Sequence, residues 1–344
     1  VDEVSESTVY LRNRGTGRYL KSGGAWGTHA VVGNYPIPFV VTEGVGNKVT
    51  LKNETGYVCP DGNQPYIDGP SATEWTMDYV DGNFVVFSID GMALTANDPC
   101  IFNERDNIND WPNYRWIITE AKDLSSKLQQ WEIVTPEQML EELNQANLQN
   151  PVNATWLISN PNFDRKMSIG KWNNDIAEDA TRMTSKMLWH EDASGNYLAG
   201  TNGNNVGNEY ANYCAEAFVA DKWNSGSTKW DINQTIENMP NGYYRLACQA
   251  FQRISNSTTT TATVQLYGVS GGNEAAKQVE LMYNLKDETT NSLGTASSNG
   301  YYYPNTMAEA ALFFLKGYYK NDVVVQVTDG TLTIGIKKTS DTGI

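Results

Sequence analysis

The sequence predicts an all-β chain made of two modules joined by a short α-helix, and three observations carry that expectation. A strand–turn–strand text recurs three times within residues 1–134, a capped helix pattern starts at Thr135, and strands with different punctuation resume beyond it. Length agrees, because 344 residues exceed one typical domain of about 100 to 150. Only 19% of residues are charged, while Gly, Asn, Thr and Tyr are abundant and long helical runs are scarce, a composition suited to short strands and many turns.

The repeat begins as VYLRNRGTGRYLKS at Val9, returns as VTLKNETGYVCPD at Val49, and returns more loosely as VVFSIDGMALTA at Val85. Gly17, Gly56 and Gly91 mark its turns, a period of about 35 to 40 residues typical of repeat architectures. Glycine belongs there because it accepts the positive φ of a tight hairpin without steric cost. Each repeat closes on an apolar strand that opens with a large aromatic: Phe39, Trp75 and Trp131. The third repeat is longer, and Trp116 starts a competing strand there; Trp131 is the preferred closing residue.

Three such units around a pseudo-threefold axis, each giving one aromatic to a common core, resemble a β-trefoil over residues 1–134. Gln129-Gln130-Trp131 matches once the Gln-x-Trp closing motif of the ricin-type lectins, and the other two repeats lack the glutamine. The core is the expected place of Phe39, Trp75 and Trp131. The resemblance implies that sugar contacts fall in the turns after the second strand of each repeat. The residues there are Trp26 and His29, then Tyr66 and Asp68, then Asn107 and Trp111.

A helical linker is expected over 135–150. Thr135 reads as the N-cap, Pro136 as the first helical residue, and Gln138 completes a capping box. Met139, Leu140, Leu143 and Leu148 supply the apolar face, and the helix stops before Asn150-Pro151.

The second module, 151–344, contains two strands around Pro240-Asn241-Gly242, with Tyr244, Leu246, Cys248 and Ala250 on one face. An Asp329-Gly330 turn sets Val323, Val325 and Val327 opposite Leu332, Ile334 and Ile336 and reads as a hairpin. Thr306–Glu309 caps a short helix that ends at Gly317. The Gln234-Thr235-Ile236 strand and the Thr328–Gly335 segment resemble galactose-binding-like jelly-roll sandwiches. ATWLISNPNFD, from Ala154, is similar to the opening strand of such modules in surface proteins of gut-dwelling Gram-negative bacteria. The text stops at Thr342-Gly343-Ile344, where those modules run into one more strand, so a missing edge or a trimmed chain is expected. By this resemblance ligand contacts belong to loop aromatics: Trp223 with Asn224, Trp172, and the Tyr301–Tyr303 cluster in a Ser/Asn/Gly loop. Structural calcium is the sole cofactor the resemblance suggests, and no Asp/Glu spacing marks a site for it.

Charge and motifs narrow the function. A net charge of −15 repels a phosphate backbone, so nucleic acid is not an expected partner. No stretch approaches the about 20 apolar residues of a membrane helix, and VDEVSEST lacks a signal peptide's basic start and apolar run. The expectation is an exported protein, secreted, periplasmic or on the outer surface, whose signal has been removed. Cys59 with Cys100 and Cys214 with Cys248 would allow one disulfide per module, and four buried thiols are the equal alternative. The chain has two histidines, His29 and His190, and no HExxH, GxSxG, P-loop, GxGxxG or CxxC pair, which argues against an enzyme. Trp189-His190-Glu191-Asp192 reads as a surface stretch in preference to a metal site. The leading expectation is a non-catalytic glycan-binding protein. A structural or adhesin-type interaction module is the alternative, and an accessory region of a glycan-cleaving enzyme, or such an enzyme itself, which needs a carboxylate pair, comes third.

Overall fold

Four strands per repeat build the first part of the molecule. In chain order they are β1 (Thr8–Asn13), β2 (Tyr19–Gly23), β3 (His29–Gly33) and β4 (Phe39–Glu43); β5 (Lys48–Lys52), β6 (Tyr57–Asp61), β7 (Gln64–Gly69) and β8 (Trp75–Tyr79); β9 (Phe84–Ile89), β10 (Met92–Ala96), β11 (Ile117–Ala121) and β12 (Trp131–Val134). The computed structural model describes residues 8–23, 28–33, 35–96, 117–161, 172–174, 183–187, 213–217, 229–253, 263–282, 285–286, 295–296, 300–305, 310, 313–314 and 317–339. These residues form two units, one within Val1–Trp156 and one from Leu157 onward.

In the first unit the outer strands of the repeats close a ring. β1 pairs with β4, β4 with β5, β5 with β8, β8 with β9, β9 with β12, and β12 with β1, all antiparallel. A closed six-stranded barrel leaves no unpaired edge. The inner strands form three hairpins, β2–β3, β6–β7 and β10–β11. They lean on one another: β3 meets β7 at His29–Tyr66, and Thr119 N–H donates to Asn63 O. Six barrel strands and three capping hairpins make this unit a β-trefoil.

The core follows from the repeat. Val9, Val49 and Val85, then Leu11, Leu51 and Phe87, then Phe39, Trp75 and Trp131 point into the barrel and are buried. Burying an indole leaves its N–H in need of a partner. Trp75 Nε1 donates to Val58 O at 2.9 Å and Trp131 Nε1 to Leu94 O at 3.0 Å, in each case to the second strand of the same repeat. Ile117–Ala121 pairs with β10, so β11 is a hairpin strand and Trp131 closes the repeat, as expected. Gly17 and Gly91 sit at φ +67° and +78°. At Gly56 the reason for glycine is different: a Cβ there would come within 2.6 Å of the Asp68 carbonyl carbon.

Helix α1 (Pro136–Gln145) carries the anticipated capping box, with Gln138 N–H donating to Thr135 Oγ1 and Thr135 N–H to Gln138 Oε1. It packs on the first unit, burying Met139 beside Tyr19 and Val134. The helix ends earlier than Asn150-Pro151 requires, because Asn147 Oδ1 accepts from Gln149 N–H and Asn150 N–H in a local turn that competes with helix. Leu148 therefore lies outside the helix and is exposed. Arg12 of β1 clamps α1 in place, bonding Glu132 of β12 at 2.8 and 3.0 Å and Glu142 of α1 at 2.6 and 2.8 Å.

The described strands of the second unit are β13 (Asn173–Asn174), β14 (Met183–Met187), β15 (Tyr213–Ala217), β16 (Trp230–Ile236), β17 (Gly242–Gln249), β18 (Val264–Ser270), β19 (Asn273–Gln278), β20 (Leu285–Lys286), β21 (Thr295–Ala296), β22 (Tyr301–Tyr303), β23 (Lys320–Val327) and β24 (Leu332–Lys338). One antiparallel sheet runs β13-β16-β24-β18-β19 and a second pairs β17 with β23. β14 pairs with β15, and β22 lies between β20 and β21. Val325, Val327, Tyr244 and Leu246 of the second sheet pack on Ile236, Leu332, Ile334, Val264 and Leu266 of the first. The approach is tight, since a Cβ on Gly268 would lie 3.1 Å from Val325 Cγ1. Successive strands β16, β17, β18 and then β23, β24 alternate between the two sheets, the jelly-roll way of building a sandwich.

Two expectations change here. Asp329-Gly330 does not join a hairpin: β23 pairs with β17, whereas β24 pairs with β16 and β18, so the turn carries the chain from one sheet to the other. Asp329 holds this arch, accepting from Ser270 Oγ, Gly271 N–H, Thr331 N–H and Thr331 Oγ1. The true hairpin is β18–β19, through Gly271 and Gly272 at φ +55° and +78°. Second, the described part of ATWLISNPNFD is no strand. Thr155–Leu157 is one turn of 3-10 helix, and the Gln234 side chain takes both the N–H and the C=O of Ser159. Ala310, Phe313 and Phe314 are helical, Gly317 lies at φ +83° with its N–H on Phe314 O, and the expected cap at 306–309 lies outside the described residues.

Candidate functional site

A sugar site requires a flat aromatic face open to solvent with fixed donors and acceptors beside it. The described aromatics of the trefoil turns are engaged within the protein. His29 is 3% exposed, and its ring centre lies 4.2 Å from that of Tyr66, tilted by 40°. Sequence reading set these two residues in separate turns; the β3–β7 register joins them. Burial lowers the His29 pKa against the opposing pull of Asp68 and Asp61, which favours the neutral imidazole. Near the end of β3, Lys21 Nζ sits 3.8 Å above the Tyr35 ring and 2.6 Å from its hydroxyl. Gln129 of the Gln-x-Trp motif is buried and structural: its amide donates to Ala121 O and accepts from Asp123 N–H. Trp26, Asn107 and Trp111 lie outside the described residues.

In the second unit Trp172 is half-buried against the Ile236–Ile334 core, and its Nε1 donates to Asn160 O at 3.2 Å. The tyrosine cluster is the centre of a small sheet instead of a loop. Tyr301 and Tyr303 share one face of β22, Tyr302 takes the other, and all three are partly buried. Trp223, Asn224 and the Trp189–Asp192 stretch lie outside the described residues. On the outer face of the five-stranded sheet Tyr267 lies across Gly335. Its hydroxyl donates to Asp231 at 2.8 Å, while Lys337 Nζ covers its ring at 4.3 Å and pairs with Glu274. Burial and Asp231 raise the Tyr267 pKa, so this phenol stays protonated.

Among the described residues, one aromatic meets both requirements. Along β17 the inward residues Tyr244, Leu246 and Cys248 meet the core, so Tyr243, Arg245 and Ala247 face outward. Tyr243 is 68% exposed. Directly across on β23 stands the exposed Gln326, Arg245 follows two residues along the same face, and Val324 lies opposite Arg245. Arg245 Nε donates to Asp322 Oδ2 at 3.2 Å, and Lys277 Nζ lies 3.6 Å from Asp322 Oδ1. A ladder of eight register pairs, Gly242–Val327 to Gln249–Lys320, holds the backbone rigid under these side chains. Sequence reading passed over Tyr243, although the signal was present: the alternation that sends Tyr244 inward sends Tyr243 out. Tyr79, at the end of β8, is 71% exposed, and its cross-strand partner is the buried Val85.

Cys59 and Cys248 are free thiols. Burial pushes Cys248 up to about 12 and also raises Cys59. Among the described residues no three His, Cys, Asp or Glu side chains gather as a metal site, and no helix is long and apolar enough to cross a membrane.

No protein family and no curated protein matches the sequence. Several solved structures show a distant likeness to parts of the chain. A ricin B-like lectin of Macrolepiota procera, solved with lactose, is 14% identical with a TM-score of 0.29, covering 40% of this chain and all of that one. A Clostridium perfringens endo-β-galactosidase that releases GlcNAcα1-4Gal is 17% identical at 0.28, over 38% of this chain and 32% of its own length. The designed threefold protein ThreeFoil is 14% identical at 0.26, over 37% of this chain and 97% of its own. Likeness at this level assigns this chain no function.

Proposed function

We propose that the chain is a non-catalytic glycan-binding protein that works outside the cytoplasm and binds saccharide on the outer face of β17 and β23. The observation that carries this reading is Tyr243: an aromatic residue 68% exposed, on a fully paired strand, with Gln326 opposite and Arg245 beside it. Such a ring can stack on the C–H face of a sugar while the amide and guanidinium reach its oxygens. A preformed site on a paired strand spends little ordering entropy on binding. The galactose-binding-like resemblance of the second module and the lectin-like repeat of the first support the same reading. Titration of Tyr243→Ala against a panel of oligosaccharides tests it. Glycans retained by the native protein should lose binding by about two- to tenfold in the variant, in line with the about 0.5–1.5 kcal/mol of an aromatic contact. Undiminished binding would remove Tyr243 from the site.

A second reading has one observation in its favour. Val324 lies diagonally from Tyr243 and both are exposed, two apolar side chains on one face that suit a protein partner. Under this reading Val324→Asp abolishes capture of a protein ligand, and Tyr243→Ala leaves glycan panels unchanged.

A further inference from the structure

We propose that the face around Tyr243 is built for an acidic saccharide, one whose sugar ring stacks on Tyr243 and whose carboxylate is taken by Arg245; this rests on the glycan-binding reading above. The chain carries a net charge of −15, so an exposed arginine beside the candidate ring stands against its general character. Two cations, Arg245 and Lys277, share one carboxylate, Asp322, at 3.2 and 3.6 Å. Asp322 can balance only one of these two charges, and Arg245 is the one that stands two residues from Tyr243 on the same face. Arg245 engages Asp322 only through Nε, and among the described residues its two Nη groups have no partner. The side chain is 71% exposed. Asp322 thus braces the guanidinium near its base, and the outer N–H groups are left to face solvent.

A guanidinium presents parallel N–H groups that match the two oxygens of a carboxylate, and a charge-assisted pair of this kind is about twice as strong as a neutral hydrogen bond. A neutral sugar at the same place would gain only ordinary hydrogen bonds. A second ligand carboxylate near Asp322 would meet repulsion, which favours acidic groups placed toward the Tyr243 end. Residues i and i+2 of a strand stand about 6.5 to 7 Å apart on one face, which places Tyr243 and Arg245 within the reach of one or two linked sugar rings.

Galacturonate and galactose oligosaccharides of equal length and the same glycosidic linkage make the test, because they differ only at C6, a carboxylate in one and a hydroxymethyl group in the other. Binding of each to the full chain is measured by calorimetry at low and high salt, with Arg245→Gln, Arg245→Lys and Tyr243→Ala alongside. The expected result is that galacturonate binds about tenfold or more tightly than galactose at low salt, and that added salt narrows the gap. Arg245→Gln should reduce galacturonate affinity to the galactose level, Arg245→Lys should keep part of the preference, and Tyr243→Ala should weaken both ligands. Equal affinity of the native protein for the two, or a preference that survives Arg245→Gln, overturns the acidic assignment and leaves the glycan-binding reading in place. Failure of both ligands to bind overturns both. Arg245 is an exposed strand residue, so an unchanged melting temperature identifies a folded variant.

Discussion

Replacing Arg12 by Met should loosen helix α1 from the trefoil by an amount that can be worked out in advance. The Arg12 side chain is 22% exposed and joins Glu132, at 19%, to Glu142, at 37%. Removing one partner of a fully buried ion pair costs about 3–5 kcal/mol. Solvent reaches this clamp, and screening leaves about 2 kcal/mol of that. A two-unit chain need not unfold in one transition, so hydrogen exchange of peptides covering β1, β12 and α1 is the suitable assay. The loss corresponds to about a 30-fold fall in protection of α1. The pH dependence has a definite sign. The Arg12 hydrogen bond holds the Glu142 carboxyl below the usual range, so its contribution is fully present above the unfolded glutamate pKa of about 4.3 and is lost as pH falls through the lower folded value. Acidification below that point should reduce α1 protection in the native protein and much less in Arg12→Met. Unchanged α1 protection in the variant at neutral pH refutes the clamp.

Three other perturbations follow. Trp131→Phe leaves a cavity and an unpartnered Leu94 carbonyl, so exchange from β9 to β12 should show a loss of about 2–3 kcal/mol; a loss under about 0.5 kcal/mol would contradict the burial. Gly335→Ala places a Cβ 2.6 Å from Ile232 O and 2.7 Å from Tyr267 Cε1, and a backbone oxygen cannot step aside, so thermal unfolding of the second unit should show about 1–3 kcal/mol of destabilisation. With its thiol pushed up to about 12 by burial, Cys248 should resist iodoacetamide at pH 8 in the native protein and react once the chain unfolds; rapid native labelling, read by mass spectrometry, contradicts this.

The trefoil was legible in the sequence because its core is written three times. Phe39, Trp75 and Trp131 occupy equivalent places, and repetition distinguishes a core aromatic from a surface one. The second unit lacks that redundancy. Asp329-Gly330 meets the requirement of any tight reversal, a residue at positive φ, and that requirement is the same for a hairpin and for an arch between sheets. What decides is the pairing of β24 with β16, about a hundred residues earlier, which no local text records. Gly271-Gly272 carried an equally strong turn signal and was passed over. Polar, glycine-rich surroundings single out Tyr301 and Tyr303, which in fact belong to a paired strand. Tyr243 needed a different inference: on a strand with one face in the core, the aromatic at the odd position has nowhere to go but outward.

Hydroxyl-radical footprinting with a bound oligosaccharide tests the central claim most directly, because the protein supplies its own control. Tyr243 and Tyr79 are about equally exposed, at 68% and 71%, and lie in different units. With saccharide present, oxidation of Tyr243 should fall several-fold while Tyr79 continues to react at its free rate. Protection of Tyr79 with Tyr243 still reactive, or saccharide binding that shields neither, would contradict a glycan site on β17 and β23.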